Sequence, residues 1–380
     1  MRIFHVISSG GMYGAEHVLL NLCRSLRKLD CDVTVGVFRN ATNPHTEIGD
    51  RLTAENIEVV EIPCAGRVDW AAIKKTRHLM RQVQTDVVHS HGYKGDIYSY
   101  LATRFASIPL VATAHNWTGE SELPPIYNKL DRVVLRRFSA VAAVSDGVAQ
   151  VLDGSGVAAK KIIRIANGID LTPYEEAIPA ARRELHDSNA PIVGLVGRLV
   201  QEKGCFEFVR AAAQVLPTFP EARFLLVGEG PERDSLEQLA RDLQIDKSVV
   251  FAGHRNDMPS VYASLAICVL PSFEEGMPMT LMEAMAAGRS VIATPVGQIP
   301  AMVDQETNGL LVNPGNVGEL SSAMMRLLGD VVLRQRMGEN GREKAQRLFS
   351  ADSMARAYLN LYRHVLRGQT GEAVRSLGGA

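Results

Sequence analysis

Short apolar runs rich in valine and isoleucine alternate with longer amphipathic stretches along this chain. Glycine, proline, asparagine or aspartate bounds each run, and this pattern is typical of parallel strands covered by helices on both faces. In the first half the runs predict strands at Ile3–Ile7, Val33–Phe38, Val59–Ile62, Val87–His91, Leu110–His115 and Val141–Ser145. Helical periodicity predicts helices at Ala15–Leu29 and Trp70–Val83.

The pattern restarts in the second half. It predicts strands at Ile192–Gly197, Phe224–Gly228, Val249–Ala252, Ile267–Leu270, Val291–Thr294 and Leu310–Val312, with helices such as Phe206–Leu216 and Leu320–Leu328. Pro173, Pro179 and Pro191 interrupt the stretch between the halves. We therefore expect two doubly wound α/β domains, 1–172 and 173–350. The last segment, 351–380, starts with an amphipathic helix, Ala351–Leu366, which we expect to pack back on the first domain.

Two carboxylates follow the predicted strand Ile267–Leu270, in the segment from Pro271 through Ala287. A glycine turn separates Glu275 from a helix that begins around Pro278 and carries Glu283, with seven residues between the two glutamates. A carboxylate only accepts hydrogen bonds and can hold two vicinal hydroxyls of a sugar. Free N–H groups at the helix start suit a diphosphate. The alternative is an amphipathic helix with two solvated glutamates.

Two cations follow the first predicted strand of the second domain, in Gly197-Arg198-Leu199-Val200-Gln201-Glu202-Lys203-Gly204. Fixed cations would stabilise the negative charge that develops on a departing nucleotide diphosphate. Arginine offers bidentate geometry and lysine a point charge. Taken alone, such a loop would be read as solvated surface.

Both segments resemble glycosyltransferase family 4: the first its E-x7-E motif, the second its G-R-x4-K-G segment. The resemblance extends over nearly the whole chain and is strongest from 191 to 315. It implies the GT-B fold, two Rossmann-like domains facing across a cleft, and a retaining, metal-independent transferase whose substrate is a nucleotide-diphosphate sugar, with no cofactor. The chain departs from the family at Ala266 and in Pro295-Val296-Gly297-Gln298, which leaves the donor sugar open.

The resemblance also assigns roles. Catalysis would involve Arg198 and Lys203 at the diphosphate, Glu275 at the hexose and His115 beside the donor sugar; Glu283 would hold the ribose. The donor-binding set would be Gly11, Gly14, Gly197, Arg255, Gly276, Met277, Pro278 and Glu283.

The glycines of Ser8-Ser9-Gly10-Gly11-Met12-Tyr13-Gly14 permit a tight turn before a helix, but the spacing is not that of a dinucleotide fingerprint. His89 and His91 alternate in the strand Val87–His91. We expect them to face opposite sides of the sheet, with one of them shaping the acceptor pocket, and we expect no metal site.

Composition and net charge limit the kinds of partner and the compartment that the sequence supports. The chain has 46% hydrophobic and 22% charged residues and a net charge of -1, so the charge balance gives no support for nucleic-acid binding. Its five cysteines include no C-x-x-C pair, which favours a reducing cytoplasm. The apolar run at the amino terminus is too short for a signal peptide, and none approaches the ~20 residues of a membrane span.

Any membrane contact would therefore be peripheral, at the inner face of the plasma membrane. The candidate is a basic stretch with aromatic residues at 127–138. Its members are Tyr127, Lys129, Arg132, Arg136, Arg137 and Phe138. A solvated helix face is the alternative.

The sequence thus predicts transfer of a hexosyl group from a UDP-sugar, with GDP as the second choice, to a saccharide or lipid-linked saccharide in envelope polysaccharide synthesis. Two alternatives remain. One is a sugar-nucleotide epimerase of the same fold, and the other is a non-catalytic subunit that binds nucleotide sugars.

Overall fold

The computed structural model describes residues 1–12, 14–41, 45–66, 69–115, 125–179 and 190–368, with only the backbone of 125–129. The chain divides into two compact units. Unit 1 comprises Met1–Gly168 and Ala351–Ala380, and unit 2 comprises Ile169–Ser350. The division thus falls four residues before the boundary expected from the prolines.

Unit 1 is built on a seven-stranded parallel sheet in the order β3-β2-β1-β4-β5-β6-β7. Its strands are β1 Arg2–Ile7, β2 Asp32–Asn40, β3 Glu58–Cys64, β4 Val87–His91, β5 Leu110–Ala114, β6 Ala140–Ala143 and β7 Ile162–Arg164. Strands β1, β4, β5 and β6 are buried almost throughout, as expected when helices cover both faces of a sheet.

Six helices of unit 1 lie along the first part of the chain. They are α1 Gly14–Lys28, α2 Glu47–Ala54, α3 Trp70–Gln82, α4 Gly92–Thr103, α5 Pro125–Leu135 and α6 Asp146–Gly154. Capping side chains fix two of their starts: Asp69 accepts from the N–H groups of Ala71 and Ala72, and Ser145 from that of Val148. Such caps satisfy N–H groups that have no partner within the helix.

Unit 2 contains a six-stranded parallel sheet in the order β10-β9-β8-β11-β12-β13. Its strands are β8 Ile192–Val196, β9 Arg223–Val227, β10 Val249–Phe251, β11 Ile267–Leu270, β12 Ser290–Ala293 and β13 Gly309–Leu311. Its helices are α7 Thr172–Glu175, α8 Cys205–Val215, α9 Arg233–Asp242, α10 Met258–Ser264, α11 Met279–Ala286, α12 Ile299–Met302, α13 Val317–Gly329 and α14 Val331–Leu348. Buried apolar side chains form a core on each face of this sheet.

The last described helix, α15 Ala351–Leu366, belongs to unit 1. It packs against α1, where the Ser25 hydroxyl donates to the Asp352 carboxylate at 2.8 Å. Two of its tyrosines, Tyr358 and Tyr362, are almost completely buried. The chain thus returns to its first sheet after completing the second.

The expected fold class is confirmed, because the two sheets have the doubly wound α/β architecture that the apolar pattern predicted. Each predicted strand matches an observed one to within two residues. The strand β7 was missed, since its apolar run is only Ile162-Ile163, between Lys161 and Arg164.

Candidate active site

Lys203 and Glu275 meet at the carboxyl ends of two neighbouring strands of unit 2, β8 and β11. The Lys203 Nζ lies 2.6 Å from Glu275 Oε1, and the Ser272 hydroxyl donates to the same oxygen at 2.8 Å. The Glu275 side chain is 7% exposed and that of Lys203 24%. Two groups that lie 72 positions apart in the sequence therefore form one charged pair at a sheet edge, where open α/β sheets bind ligands.

Close backbone contacts hold the loops of this pair together. A single 3-10 turn, Gln201–Lys203, ends at Gly204 in the left-handed conformation. A Cβ on Gly204 would lie 2.1 Å from the Pro271 carbonyl oxygen, so only glycine allows this approach. The Phe273 N–H also donates to the Glu202 carbonyl at 2.8 Å. The cation loop and the first glutamate loop are therefore fixed to each other by main-chain atoms.

Gly297 has a similar role on the other side of Glu275. Its φ is +54°, and a Cβ there would lie 1.8 Å from the Glu275 carbonyl oxygen. The Gln298 N–H donates to the Gly276 carbonyl at 3.0 Å. The loop after β12, in which the sequence departs from family 4, thus supports the backbone of Glu275 directly.

Glu283 lies in α11 and accepts hydrogen bonds from two tyrosines. The Tyr262 hydroxyl donates to Glu283 Oε2 at 2.8 Å, and the Tyr174 hydroxyl is a second donor. Burial raises the pKa of Glu283, while the two hydroxyls act in the opposite direction. The carboxylate is therefore held in one orientation, with part of its accepting capacity already used.

The remaining candidates of unit 2 lie in the cation loop, in the segment between the two glutamates and in the loop after β10. Arg198 is exposed, and Gly197, Gly276 and Met277 are half-buried. Pro278 is buried and precedes the first turn of α11. Arg255 forms a bidentate ion pair with Asp257 at 2.8 and 2.6 Å, and it lowers the pKa of that carboxyl.

In unit 1, the glycine loop after β1 leads into the N-terminus of α1. The Gly11 N–H donates to Ser9 Oγ at 3.2 Å, and that hydroxyl is 2.9 Å from the Gly11 carbonyl oxygen. Gly14 is the first residue of α1, and a Cβ there would meet open space. The first turn of α1 offers N–H groups that have no partner within the helix, as an anion site requires.

His115 directly follows β5 and is hydrogen-bonded to His91. His91 Nδ1 lies 3.2 Å from His115 Nε2, and His91 Nε2 lies 3.1 Å from His5 Nδ1. Burial lowers the pKa of His115 to about 4 and that of His5 to about 3. It also lowers the pKa of His91 and His89 well below the usual range. These rings are therefore neutral at neutral pH.

The expectation that His89 and His91 face opposite sides of the sheet is wrong. Residues two apart along a strand share a face, and the two ring centroids lie 4.3 Å apart. His5, His89 and His91 each bring a nitrogen within 4.8 Å of the others, as in a metal site. Both nitrogens of His89 are already hydrogen-bonded, to the Tyr362 hydroxyl at 2.6 Å and to Thr113 Oγ1 at 2.7 Å.

The structure corrects the interpretation of the basic stretch in two places. Phe138 is completely buried in the core of unit 1, so it cannot contact a membrane. Helix α5 ends at Leu135, and Arg136 beyond it donates to the Ser155 carbonyl at 3.0 and 2.6 Å. The side chains of Tyr127 and Lys129 lie outside the described residues.

Several partners of the site were not predicted, namely Ser272, Tyr262, Tyr174 and His5. His5 gave a signal in the sequence, since it is a polar residue in the middle of an apolar strand. Within the described residues, no helix combines the length and apolar character needed to cross a bilayer.

Two family models match the chain. Residues 12–173 match the model described as Glycosyltransferase Family 4, and residues 190–330 match Glycosyl transferases group 1. Each model thus falls largely within one half of the chain.

The named relatives are glycosyltransferases as well. A D-inositol 3-phosphate glycosyltransferase of Corynebacterium kroppenstedtii is 30% identical over 80% of this chain and 71% of its own length. An Escherichia coli UDP-Gal:alpha-D-GlcNAc-diphosphoundecaprenol alpha-1,3-galactosyltransferase is 26% identical over 73% and 74%. The crystal structure of Anabaena HepE in complex with UDP, at 23% identity, superposes with a TM-score of 0.85 over 96% of this chain and 100% of that one. This chain is therefore a glycosyltransferase of the GT-B fold and belongs to glycosyltransferase family 4.

Proposed function

We propose that this enzyme transfers a hexosyl group, with retention of anomeric configuration, from a UDP-sugar to a saccharide or lipid-linked saccharide. GDP-sugars are the second choice of donor. The observation that carries the proposal is the Lys203–Glu275 pair, which places a cation 2.6 Å from a carboxylate at the carboxyl end of the unit 2 sheet. A cation suits the diphosphate and a carboxylate suits sugar hydroxyls. The pair therefore suits a nucleotide-diphosphate sugar at the point where the sugar joins the diphosphate.

The roles follow from the chemistry of each group. Arg198 and Lys203 stabilise the departing diphosphate, Glu275 orients the hexose, and Glu283 accepts from the ribose hydroxyls. The bond between the anomeric carbon and the phosphate oxygen breaks, and the acceptor oxygen forms the new bond to that carbon. We assign the acceptor proton to the leaving phosphate, because Glu275 is paired with Lys203 and Glu283 accepts from two tyrosines.

The names of the relatives support the choice of substrates. One is a galactosyltransferase that uses a UDP-sugar and an acceptor linked to diphosphoundecaprenol, and the HepE structure holds UDP. On this basis we propose a role in envelope polysaccharide synthesis, in the cytoplasm at the inner face of the plasma membrane.

We propose peripheral membrane contact through α5. Its Leu130 and Val133, one helical turn apart, are 42% and 52% exposed, and Arg137 beyond the helix is exposed. Exposed apolar residues beside a cation suit an anionic leaflet. Flotation with anionic vesicles at low salt tests this, with Val133→Glu against Val331→Glu, a valine of unit 2 that is 47% exposed. Equal flotation of the two variants would refute the contact.

A donor panel tests the catalytic proposal. The protein is incubated with UDP- and GDP-hexoses and a lipid-linked saccharide, and release of nucleoside diphosphate and the glycosylated product are measured, with and without EDTA. We expect product with a UDP-hexose and full activity in EDTA. A changed nucleotide sugar without product would indicate the epimerase, and binding without either would indicate a non-catalytic subunit. Activity lost in EDTA and restored by manganese would refute the metal-free mechanism.

A further inference from the structure

Helices α3, α4 and α5 of unit 1 pack side by side. Their inner residues share a core with Phe4 and Val88 of the sheet, while α1 packs against α2 and α15 instead. We define the α3–α5 face as the outer side of these three helices together with Arg104 and Phe105, which follow α4. All of this face belongs to unit 1.

The exposed charge of the α3–α5 face is positive. The sequences of α3, α4 and α5 contain two acidic residues, Asp96 and Asp131, and both are buried. Asp69, just before α3, is engaged as its N-cap and accepts from two N–H groups of the first turn. The cations that α3 carries are Lys74, Lys75, Arg77 and Arg81. In a chain with a net charge of -1, these helices therefore concentrate positive charge on one side of unit 1.

Helices α2 and α15 of the same unit have a mixed surface. Glu47 and Asp50 of α2 and Asp352 of α15 are exposed, beside the exposed cations Arg51 and Arg356. Surfaces of soluble proteins ordinarily intersperse both signs of charge in this way. The α3–α5 face departs from that pattern.

Two large aromatic side chains are exposed on the α3–α5 face. Trp70, the first residue of α3, is 66% exposed, and Phe105 is 80% exposed. The guanidinium carbons of Arg77 and Arg104 lie 5.9 and 5.4 Å from the centroid of the Phe105 ring, so a cation of each helix flanks this ring. Because leaving large apolar surface in water is unfavourable, the two rings indicate a surface that a partner covers.

An anionic lipid bilayer fits this combination. Interfacial helices place aromatic side chains beside lysine and arginine at the boundary between headgroups and acyl chains. A charged face that is merely solvated has no need of exposed aromatic rings. An acidic protein would also attract the cations, but the lipid-linked acceptor of the proposed function brings a bilayer next to the enzyme.

We propose that the α3–α5 face docks on the anionic headgroups of a lipid bilayer, with Trp70 and Phe105 at the interface and the cations of α3 on the phosphates. Trp70, Lys74 and Arg81 lie on one side of the helix, since residues four and eleven positions apart share a face. The inference rests on the proposed function for its lipid-linked acceptor, and it makes α3 a contact separate from the one proposed for α5.

The fluorescence of Trp70 tests this docking without any assay of activity. The chain has two tryptophans, so Trp117→Phe leaves Trp70 as the remaining one. With phosphatidylglycerol vesicles at low salt we expect a blue shift of the emission and quenching by brominated acyl chains. With phosphatidylcholine vesicles we expect neither. An emission spectrum that phosphatidylglycerol leaves unchanged would overturn the proposal.

Charge reversal on α3 tests the role of the cations. Each Lys or Arg near an anionic surface strengthens partitioning about fivefold, so Lys74→Glu/Lys75→Glu should weaken vesicle binding by at least about 25-fold. The matched control is Arg51→Glu/Arg356→Glu, which makes the same change in net charge on α2 and α15 and should weaken binding much less. Equal loss in the two variants would overturn the α3–α5 face as the docking site, because net charge alone would explain the binding.

The outcomes distinguish this inference from the proposed function. Flotation of Lys74→Glu/Lys75→Glu at the wild-type level, with loss in Val133→Glu, would overturn the α3 contact and leave that of α5 intact. Binding to polyglutamate without binding to vesicles would also overturn it, in favour of an acidic protein partner. A protein that binds vesicles through α3 but transfers no sugar in the donor panel would instead refute the proposed activity.

Discussion

Lys203, at the carboxyl end of the unit 2 sheet, can serve two functions. Lys203 balances the partly buried Glu275 carboxylate, so removing the lysine would leave a charge without its counter-ion. The same ammonium group is the proposed cation for the diphosphate. A variant at this position therefore affects both the site's electrostatics and the reaction.

We predict that Lys203→Ala and Arg198→Ala each lower kcat by on the order of a hundredfold, because each removes a charge that stabilises the leaving group. Steady-state rates with the preferred donor measure this. Lys344→Ala is the control, since Lys344 forms a comparable pair with Asp304 at 2.8 Å in the same unit and should retain full activity. Wild-type kcat in either site variant would refute its assigned role.

A second residue-scale prediction concerns two buried acids of unit 1, Asp96 and Asp131. Burial raises the pKa of Asp131 to about 6, and burial and the neighbouring Asp131 raise that of Asp96 well above its usual range. The folded state therefore holds more protons than the unfolded chain from about pH 4 to 6, so this pair loses stabilising free energy as the pH rises through that window. Asp131→Asn should remove the part of this pH dependence that comes from the Asp131 carboxyl.

Urea unfolding at several pH values checks this. The free energy of unfolding of Asp131→Asn, relative to wild type, should increase between pH 4 and 7. The exposed Asp153→Asn, in the same unit, should show a constant difference. A constant difference for Asp131→Asn as well would mean that the carboxyl pair does not titrate as described.

At the scale of elements, α15 is tied to the sheet of unit 1 by two tyrosine hydroxyls. The Tyr362 hydroxyl is 2.6 Å from His89 Nδ1, and the Tyr358 hydroxyl is 2.7 Å from Thr113 Oγ1, which also contacts His89 Nε2. The bounds of this helix could be predicted from its periodicity, but these contacts could not. They join residues more than 240 positions apart, and no local pattern encodes such a register.

The candidate site, too, could be predicted from the sequence only in part. Glu275, Glu283 and Lys203 could be found because the chemistry requires their side chains in recognisable segments. Tyr262 and Tyr174 could not, since their role depends on where α10 and α7 lie against α11. The expectation for His89 and His91 failed for another reason. Successive residues of a strand point to opposite faces of the sheet, so residues two positions apart point to the same face.

We predict that Tyr362→Phe destabilises unit 1 by about 1–3 kcal/mol, because it leaves a buried His89 nitrogen without its partner. Tyr358→Phe should cost less, since Thr113 keeps its hydrogen bond to His89. Chemical denaturation of the two variants gives the comparison directly. An equal or reversed order would show that the His89 contact does not contribute as inferred.

At the scale of the whole molecule, the two units differ in the buried histidines that they contain. Unit 1 holds five histidines whose pKa burial lowers, namely His5, His17, His89, His91 and His115. The described part of unit 2 has one histidine, His254, which is exposed. Below about pH 6.5 these five histidines bind more protons in the unfolded chain than in the folded one, so their contribution to stability is complete above that pH and declines as the pH falls.

We therefore predict that unit 1 opens before unit 2 on acidification, because the five histidines that favour the unfolded chain in acid outnumber the two carboxyls, Asp96 and Asp131, that act in the opposite direction. Amide hydrogen exchange at pH 5 and pH 7.5, corrected for intrinsic rates, measures this. Protection at pH 5 should be lost first in 1–115 and 351–366 and retained in 190–350. Earlier loss in 190–350 would contradict the prediction.

The return of α15 to unit 1 also has a consequence for biosynthesis. The sheet of unit 1 is complete once residue 164 has been made, yet the helix that covers α1 is encoded only at 351–366. During translation at about 5–20 residues per second, the apolar side chains that α1 shares with α15 remain uncovered for roughly ten to forty seconds while unit 2 is synthesised. A nascent chain stalled near residue 300 should thus bind chaperones through unit 1, and release them when α15 leaves the ribosome.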